Sequence, residues 1–108
     1  MTPYRFGDIV LIGFPHTDMQ GVSKRPAIVI YDSGDQDVLV ARVTTHLYAT
    51  DADYKIVDWQ RCGLLADSFV RLGKLATIRK SFIVRQLGAV EPEEIAELRS
   101  ILRKMFSL

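Results

Sequence analysis

Arg25 stands directly before Pro26, at the head of the apolar run Ala27-Ile28-Val29-Ile30. A guanidinium is a planar fork of donors that suits phosphate oxygens. Pro26 fixes its own φ and pushes the residue before it toward extended backbone. The pair therefore reads as a cation held rigidly at the mouth of a strand, beside the polar loop 15–24. A second polar strand end follows at Thr44-Thr45-His46. Neighbouring strands of a meander bring such ends together. His16 and His46 lie in the two long loops beside these ends. Imidazole exchanges protons near neutral pH, so the two could supply a base and an acid. Lys24, Arg25, Arg42, Arg71 and Lys74 come from three separate strands and could line a groove that tracks a single strand of nucleic acid. Each residue also has a plainer reading. Arg25 fits a solvated cation beside a turn, Thr44 a β-branched strand residue, the histidines solvated loop residues, and the basic set ordinary surface charge.

Other chemistries lack their residues. Asp51-Ala52-Asp53 has neither the glycine nor the terminal glutamate of a calcium loop and reads as exposed loop. No Cys/His zinc spacing, phosphate-binding glycine loop or Gly-x-Ser-x-Gly elbow occurs. No metal and no cofactor is expected. Trp59, beside Leu64-Leu65, reads as a lid on the core, and Cys62 as a small core residue.

The elements that must hold these residues are short. Strands are expected over 7–14, 26–31, 37–45 and 54–57, over 68–72 and 76–78 around a bulge or bend at Gly73, and over 82–90 with a break near Gly88. Along the first, Val10 and Ile12 share one face and Ile9 and Leu11 the other. Along the third, Leu39, Ala41 and Val43 oppose Val38, Val40, Arg42 and Thr44. Residues 58–63 read as one helical turn closed by Gly63. The period then changes: Ile95, Leu98, Ile101, Leu102, Met105 and Phe106 recur at helical spacing. Pro92 suits the first helical position, and early glutamates with late basic residues complement the helix dipole. The pattern implies a mainly β (α+β) fold, a small, strongly bent antiparallel barrel with a C-terminal amphipathic helix.

Length and composition agree. The 108 residues suffice for one domain, 1–108, with a core that needs no staples. Apolar content of 48% and charged content of 25% are those of a soluble globular protein. One cysteine excludes an internal disulfide and fits a reducing cytosol. No signal peptide is visible and no apolar run approaches a bilayer's span, so a cytoplasmic protein without membrane contact is expected. A net charge of +1 argues against a coat that binds nucleic acid without selection, but not against a local basic groove.

The chain resembles the PemK/MazF family of toxin ribonucleases nearly end to end. The resemblance rests on Gly7-Asp8-Ile9-Val10, Lys24-Arg25-Pro26-Ala27-Ile28-Val29-Ile30, Val43-Thr44-Thr45 and Gly63-Leu64-Leu65-Ala66-Asp67-Ser68-Phe69-Val70-Arg71, continuing to Leu75-Ala76-Thr77-Ile78. It implies an SH3-like barrel, a homodimer with an RNA groove at its interface, and a metal-independent endoribonuclease cutting single-stranded RNA. It further implies a cognate antitoxin whose disordered tail fills that groove. Catalytic roles carry over to Arg25 and Thr44, with His46 the first candidate for the base, then His16 and Asp18. Substrate contacts are expected from His16, Asp18, Lys24, Thr45, Arg71 and Lys74. The chain departs from the family at Gly73, where some members place an aspartate, and at Ala76-Thr77-Ile78-Arg79, where Arg-Thr-Ile-Asp is frequent. The alternative is a catalytically silent barrel that binds RNA or an antitoxin.

Overall fold

Apolar residues alternate along the first and third strands and send side chains to two faces of one sheet, and each face carries its own buried cluster. The computed structural model describes residues 3–15 and 22–108. Its elements are β1 (Asp8–Pro15), β2 (Val22–Tyr31), β3 (Asp37–Thr44), β4 (Asp53–Lys55), β5 (Phe69–Arg79), a 3-10 turn (Lys80–Phe82), β6 (Ile83–Ala89) and α1 (Pro92–Phe106). The strands form one antiparallel sheet in the order β4-β5-β3-β2-β1-β6.

The larger cluster lies between one face and α1. Ile9, Ile28, Ala41, Val43, Ile56, Cys62, Val70, Leu72 and Leu98 are buried there. Ile95, Ile101, Leu102 and Met105 of α1 pack against it, as does Trp59. The second cluster occupies the other face: Val10 and Ile12, Ala27 and Val29, Val38 and Val40. The expected face assignments of β1 and β3 hold, with period 2 as their cause.

α1 begins with Pro92 as its first residue and places Glu93 and Glu94 in its first turn, Arg103 and Lys104 in its last. It stops where Ser107 turns left-handed (φ 57°) and donates its N–H to the carbonyls of Arg103 and Lys104. Glu94 is buried. Its Oε1 accepts the Tyr54 hydroxyl at 2.9 Å and the Val57 N–H at 2.7 Å, which ties the helix start to β4. Burial and the Glu94 carboxylate together push the Tyr54 hydroxyl well above the usual tyrosine range. Burial likewise pushes the Cys62 thiol up to about 11, as suits a core residue and not a nucleophile.

The structure corrects several boundaries. β2 starts at Val22, so Lys24 and Arg25 stand inside a strand and not at its mouth. Pro26 is tolerated there because pairing to β3 begins only at Ala27; up to Pro26 the strand pairs with β1 alone and is locally an edge. Residues 59–63 form hydrogen-bonded turns, and no helix forms over 58–63; Gly63 closes the turns at φ 81°. A Cβ on Gly63 would meet the Leu87 carbonyl oxygen at 2.1 Å, so only glycine lets this turn lie against β6. β5 is one strand and not two. The bulge expected at Gly73 lies within it: Ala41 faces Leu75 while Arg42 faces Arg71, and residues 72–74 intervene. The antiparallel sheet with its terminal helix is as expected, but the barrel is open, since no pairing joins β4 to β6 among the described residues.

Candidate nucleic-acid cleft

On the face that carries Val38, Val40, Ala27 and Val29, the sequence turns polar toward one end. Continuing two residues along β3 gives Arg42 and Thr44; continuing two along β2 gives Arg25. Because the strands are antiparallel and Ala27 faces Arg42, these changes coincide in space. Arg25 and Thr44 line one cleft of about 170 Å³, together with Lys24, Pro26, Arg42, Val43, Thr45 and Ser68. Lys24, Arg25 and Arg42 are exposed, and Thr44 is half-buried. Three cations therefore converge on one small concavity, as an anionic oxygen cluster requires.

Thr44 is oriented by its own loop. Its Oγ1 accepts the His46 backbone N–H at 3.2 Å. A hydroxyl has one donor besides its lone pairs, and no described residue receives it. Thr44 can thus donate to a ligand in the cleft. Ser68, buried at the cleft wall, spends its hydroxyl on the Ala66 carbonyl at 2.8 Å and contributes shape.

Beside the cleft, the expected exposed acidic loop holds for Asp51, exposed in a turn, but not for Asp53. Asp53 lies in β4, opposite Arg71, and the side chains are 5% and 15% exposed. Arg71 Nε donates to Asp53 Oδ1 at 3.0 Å. Asp53 Oδ2 accepts both the Thr50 N–H at 2.9 Å and the Thr50 hydroxyl at 2.7 Å. Burial pushes the Asp53 carboxyl up, but the bonds from Thr50 and Arg71 outweigh it and hold it below the usual carboxylate range. The Arg71 guanidinium carbon lies 3.6 Å from the centre of the Tyr48 ring, and that of Arg42 lies 5.9 Å from it. The His46 ring meets Tyr48 edge-on at 4.4 Å.

The predicted residues divide accordingly. The structure brings Lys24, Arg25, Thr44 and Thr45 to one cleft. His46 hydrogen-bonds Thr44 through its backbone, while its ring packs on Tyr48 away from the cleft lining. Arg71 is one strand over and is held by Asp53 and Tyr48. Lys74 falls in the β5 bulge, exposed and apart from the cleft lining. His16 and Asp18 lie outside the described residues. Among the described residues no group of three or more His, Cys, Asp or Glu side chains could hold a metal ion. Sequence reasoning put Arg42 on Thr44's face and in the basic set, but gave it no role of its own at the site. It passed over Tyr48 and read Asp53 as part of an exposed loop, and neither type carries a local signal for pairing with an arginine many residues away.

The profile of the family described as PemK-like, MazF-like toxin of type II toxin-antitoxin system matches residues 5–106. Solved structures of similar fold include the Mycobacterium tuberculosis toxin MazF-mt6, 22% identical, with a TM-score of 0.76 over 94% of this chain and 97% of that one. A MazE-MazF crystal structure from Deinococcus radiodurans is 17% identical, with a TM-score of 0.77 over 97% of each chain. A mycobacterial endoribonuclease in complex with its cognate antitoxin is 15% identical, with a TM-score of 0.76 over 97% of this chain and 96% of that one. At these identities the likeness is one of fold. No curated protein sequence matches the chain.

Proposed function

This chain belongs to the family of PemK-like, MazF-like toxins of type II toxin-antitoxin systems, and from that membership and the Arg25–Thr44 cleft we propose a metal-independent endoribonuclease that cuts single-stranded RNA at short sequences. The observation that carries the reading is the β2–β3 register, which supports one phosphate site built from Lys24, Arg25, Arg42 and Thr44.

RNA carries its own nucleophile. The 2′-oxygen attacks the adjacent phosphorus and loses its proton to a base. The bond to the 5′-oxygen breaks, and that oxygen takes up a proton. The products are a 2′,3′-cyclic phosphate and a 5′-hydroxyl. The step needs positive charge on the non-bridging oxygens as charge develops there. Arg25 supplies it as a fork of donors, with Lys24 and Arg42 adding to the local potential. Thr44 donates to phosphate or positions the 2′-hydroxyl. Arginine is a poor base because it stays protonated. His46, exposed and two residues beyond Thr44, is assigned that role, with Thr45, Lys74, His16 and Asp18 as substrate contacts. Arg71, committed to Asp53 and Tyr48, braces the loop instead of touching RNA. Nothing in the step requires a metal, because charge neutralisation falls to the guanidinium.

The same reading includes a cytoplasmic homodimer and an antitoxin that occupies the basic cleft. Acidic segments of a partner protein would match it in charge. No described helix is long and apolar enough to cross a membrane.

The test is incubation of the purified protein with RNA of mixed sequence in the presence of a chelator, with mapping of the ends. Discrete cuts bearing cyclic phosphates are expected. Binding without cuts, or cutting only after magnesium is added, overturns the reading.

A further inference from the structure

The cleft's neighbouring loop, residues 45–52, is fixed by more than a loop ordinarily needs. Asp53 grips it through both Thr50 donors. The Ala52 carbonyl accepts the Leu72 N–H at 2.9 Å, and the Ala52 N–H donates to Thr50 Oγ1 at 3.2 Å. Arg71, held by Asp53, stacks on Tyr48 at 3.6 Å. Within this frame Ala49 adopts φ 47°, a left-handed conformation that a residue with a Cβ keeps only when its surroundings enforce it. The loop nonetheless turns Thr45, His46 and Leu47 outward, Leu47 being 60% exposed. Thr45 itself lines the cleft.

A nearly buried ion pair is a poor device for stability alone, since well-packed apolar residues serve as well or better. It is a good device for orienting a polar loop in one way. A rigid loop that shows the apolar Leu47 and the hydroxyl of Thr45 beside a phosphate cleft has what an unstacked base needs: a surface to lie on and a group for its edge. Thr45 places that surface next to the phosphate. Arg42, which both lines the cleft and faces Tyr48, links the loop's packing to the site.

We propose that Asp53 is a positioning residue for RNA selection: by holding Arg71 against Tyr48 it locks residues 45–52, and the locked loop decides which base is accepted beside the Arg25–Thr44 cleft. The proposal rests on the ribonuclease reading. Asp53 touches no RNA itself. Its carboxylate sets the guanidinium, the guanidinium sets the ring, and the ring sets the backbone that carries Thr45 to Leu47.

The experiment compares wild type with Asp53→Asn on an RNA holding the preferred cut sequence and on RNAs with single-base changes in it. The ratio of kcat/KM between preferred and changed sequences is the readout, with Tm measured alongside. Asp53→Asn keeps the size of the side chain and loses its charge. It is expected to lower the ratio about tenfold, the scale of one well-placed hydrogen bond. Asp53→Glu, which restores the charge, should recover part of it. Leu98→Ala, a core truncation under α1, should lower Tm and leave the ratio unchanged. Should Asp53→Asn fail to fold, Tyr48→Leu carries the same test. An unchanged ratio in the Asp53 and Tyr48 variants, with wild type cutting selectively, overturns the proposal alone. A wild type that cuts without base preference overturns the proposal together with the short-sequence part of the ribonuclease reading, and leaves the cleavage step standing. A wild type that cuts no RNA overturns the ribonuclease reading and this proposal with it.

Discussion

Arg25 and Arg71 share one face of one sheet and have opposite surroundings. Arg25 is exposed and lines the cleft, and no described residue takes its guanidinium. Arg71 is mostly buried, ion-paired to Asp53 and stacked on Tyr48. A cation left to solvent costs no desolvation of its own and keeps its donors for a ligand. A cation committed to a carboxylate and a ring spends them on the protein. The same residue type thus serves as a binding group in one place and as a brace in the other. The difference lies in the neighbouring strand: β1 sets Ile12 across from Arg25, whereas β4 sets Asp53 directly across from Arg71.

The contrast can be broken in several ways. Arg25→Ala should have the largest effect on chemistry, a loss of about 10²–10³-fold in RNA cleavage, the scale for one transition-state donor. Its Tm should stay at the wild-type value, because no intramolecular bond is lost. Retention of cleavage at the wild-type rate would sink the phosphate-site assignment. Arg71→Met should do the reverse. Denaturant unfolding should show a loss of about 1–3 kcal/mol, since Asp53 is left nearly buried without its partner. Arg25→Met should stay within about 0.5 kcal/mol of wild type in the same assay. Equal destabilisation by the two would erase the distinction between binder and brace.

Thr44→Val keeps shape and removes the hydroxyl. Cleavage is expected to fall about ten- to hundredfold, the equivalent of one hydrogen bond to a charged group. Measured together with Arg25→Ala, it should prove non-additive, because the two residues act on one phosphate.

The smallest effect concerns acid, and it compares Asp53 with a second carboxylate at the far end of the sheet. Asp32 accepts Lys80 Nζ at 2.7 Å, the Tyr4 N–H at 2.8 Å and the Gly34 N–H at 2.8 Å. The Lys80 bond, aided by these amides, lowers its carboxyl from 3.8 to about 2. A carboxyl depressed in the folded state binds protons more readily when unfolded. Its stabilisation is therefore whole above about 3.8 and is lost as the pH falls toward about 2. Asp53 acts with the same sign. Unfolding followed through this window should show an acid slope that Asp32→Asn reduces most and Asp53→Asn reduces less. An unchanged slope in Asp32→Asn would remove Asp32 from the account.

Much of the fold was legible in the sequence, because its signals are local. The alternation of Val38, Val40, Arg42 and Thr44 states both the strand and the point where its face turns from core to cleft. The helix shows in its period, its proline and its charge polarity. Arg25 and Thr44 stood out by their places at strand ends, and a lone glycine between two strand patterns marked the bulge near Gly73. Boundaries failed where a long-range partner decided them. Val22 to Lys24 read as loop, and pairing with β1 made them strand. Residues 58–63 read as helix, and contact of Gly63 with β6 made them a turn.

The sequence by itself determined which side chains share a face, since period follows from chirality and backbone geometry alone. Only the tertiary structure decided which of them meet. Without the β5 bulge, the pairing of Ala41 with Leu75 would continue to Arg42 with Lys74. Three intervening residues, 72–74, bring Arg71 there instead. Asp53, arriving from the next strand, then neutralises that arginine and frees the cleft for Arg25. A register shift is a property of two strands at once, so no single stretch of sequence states it.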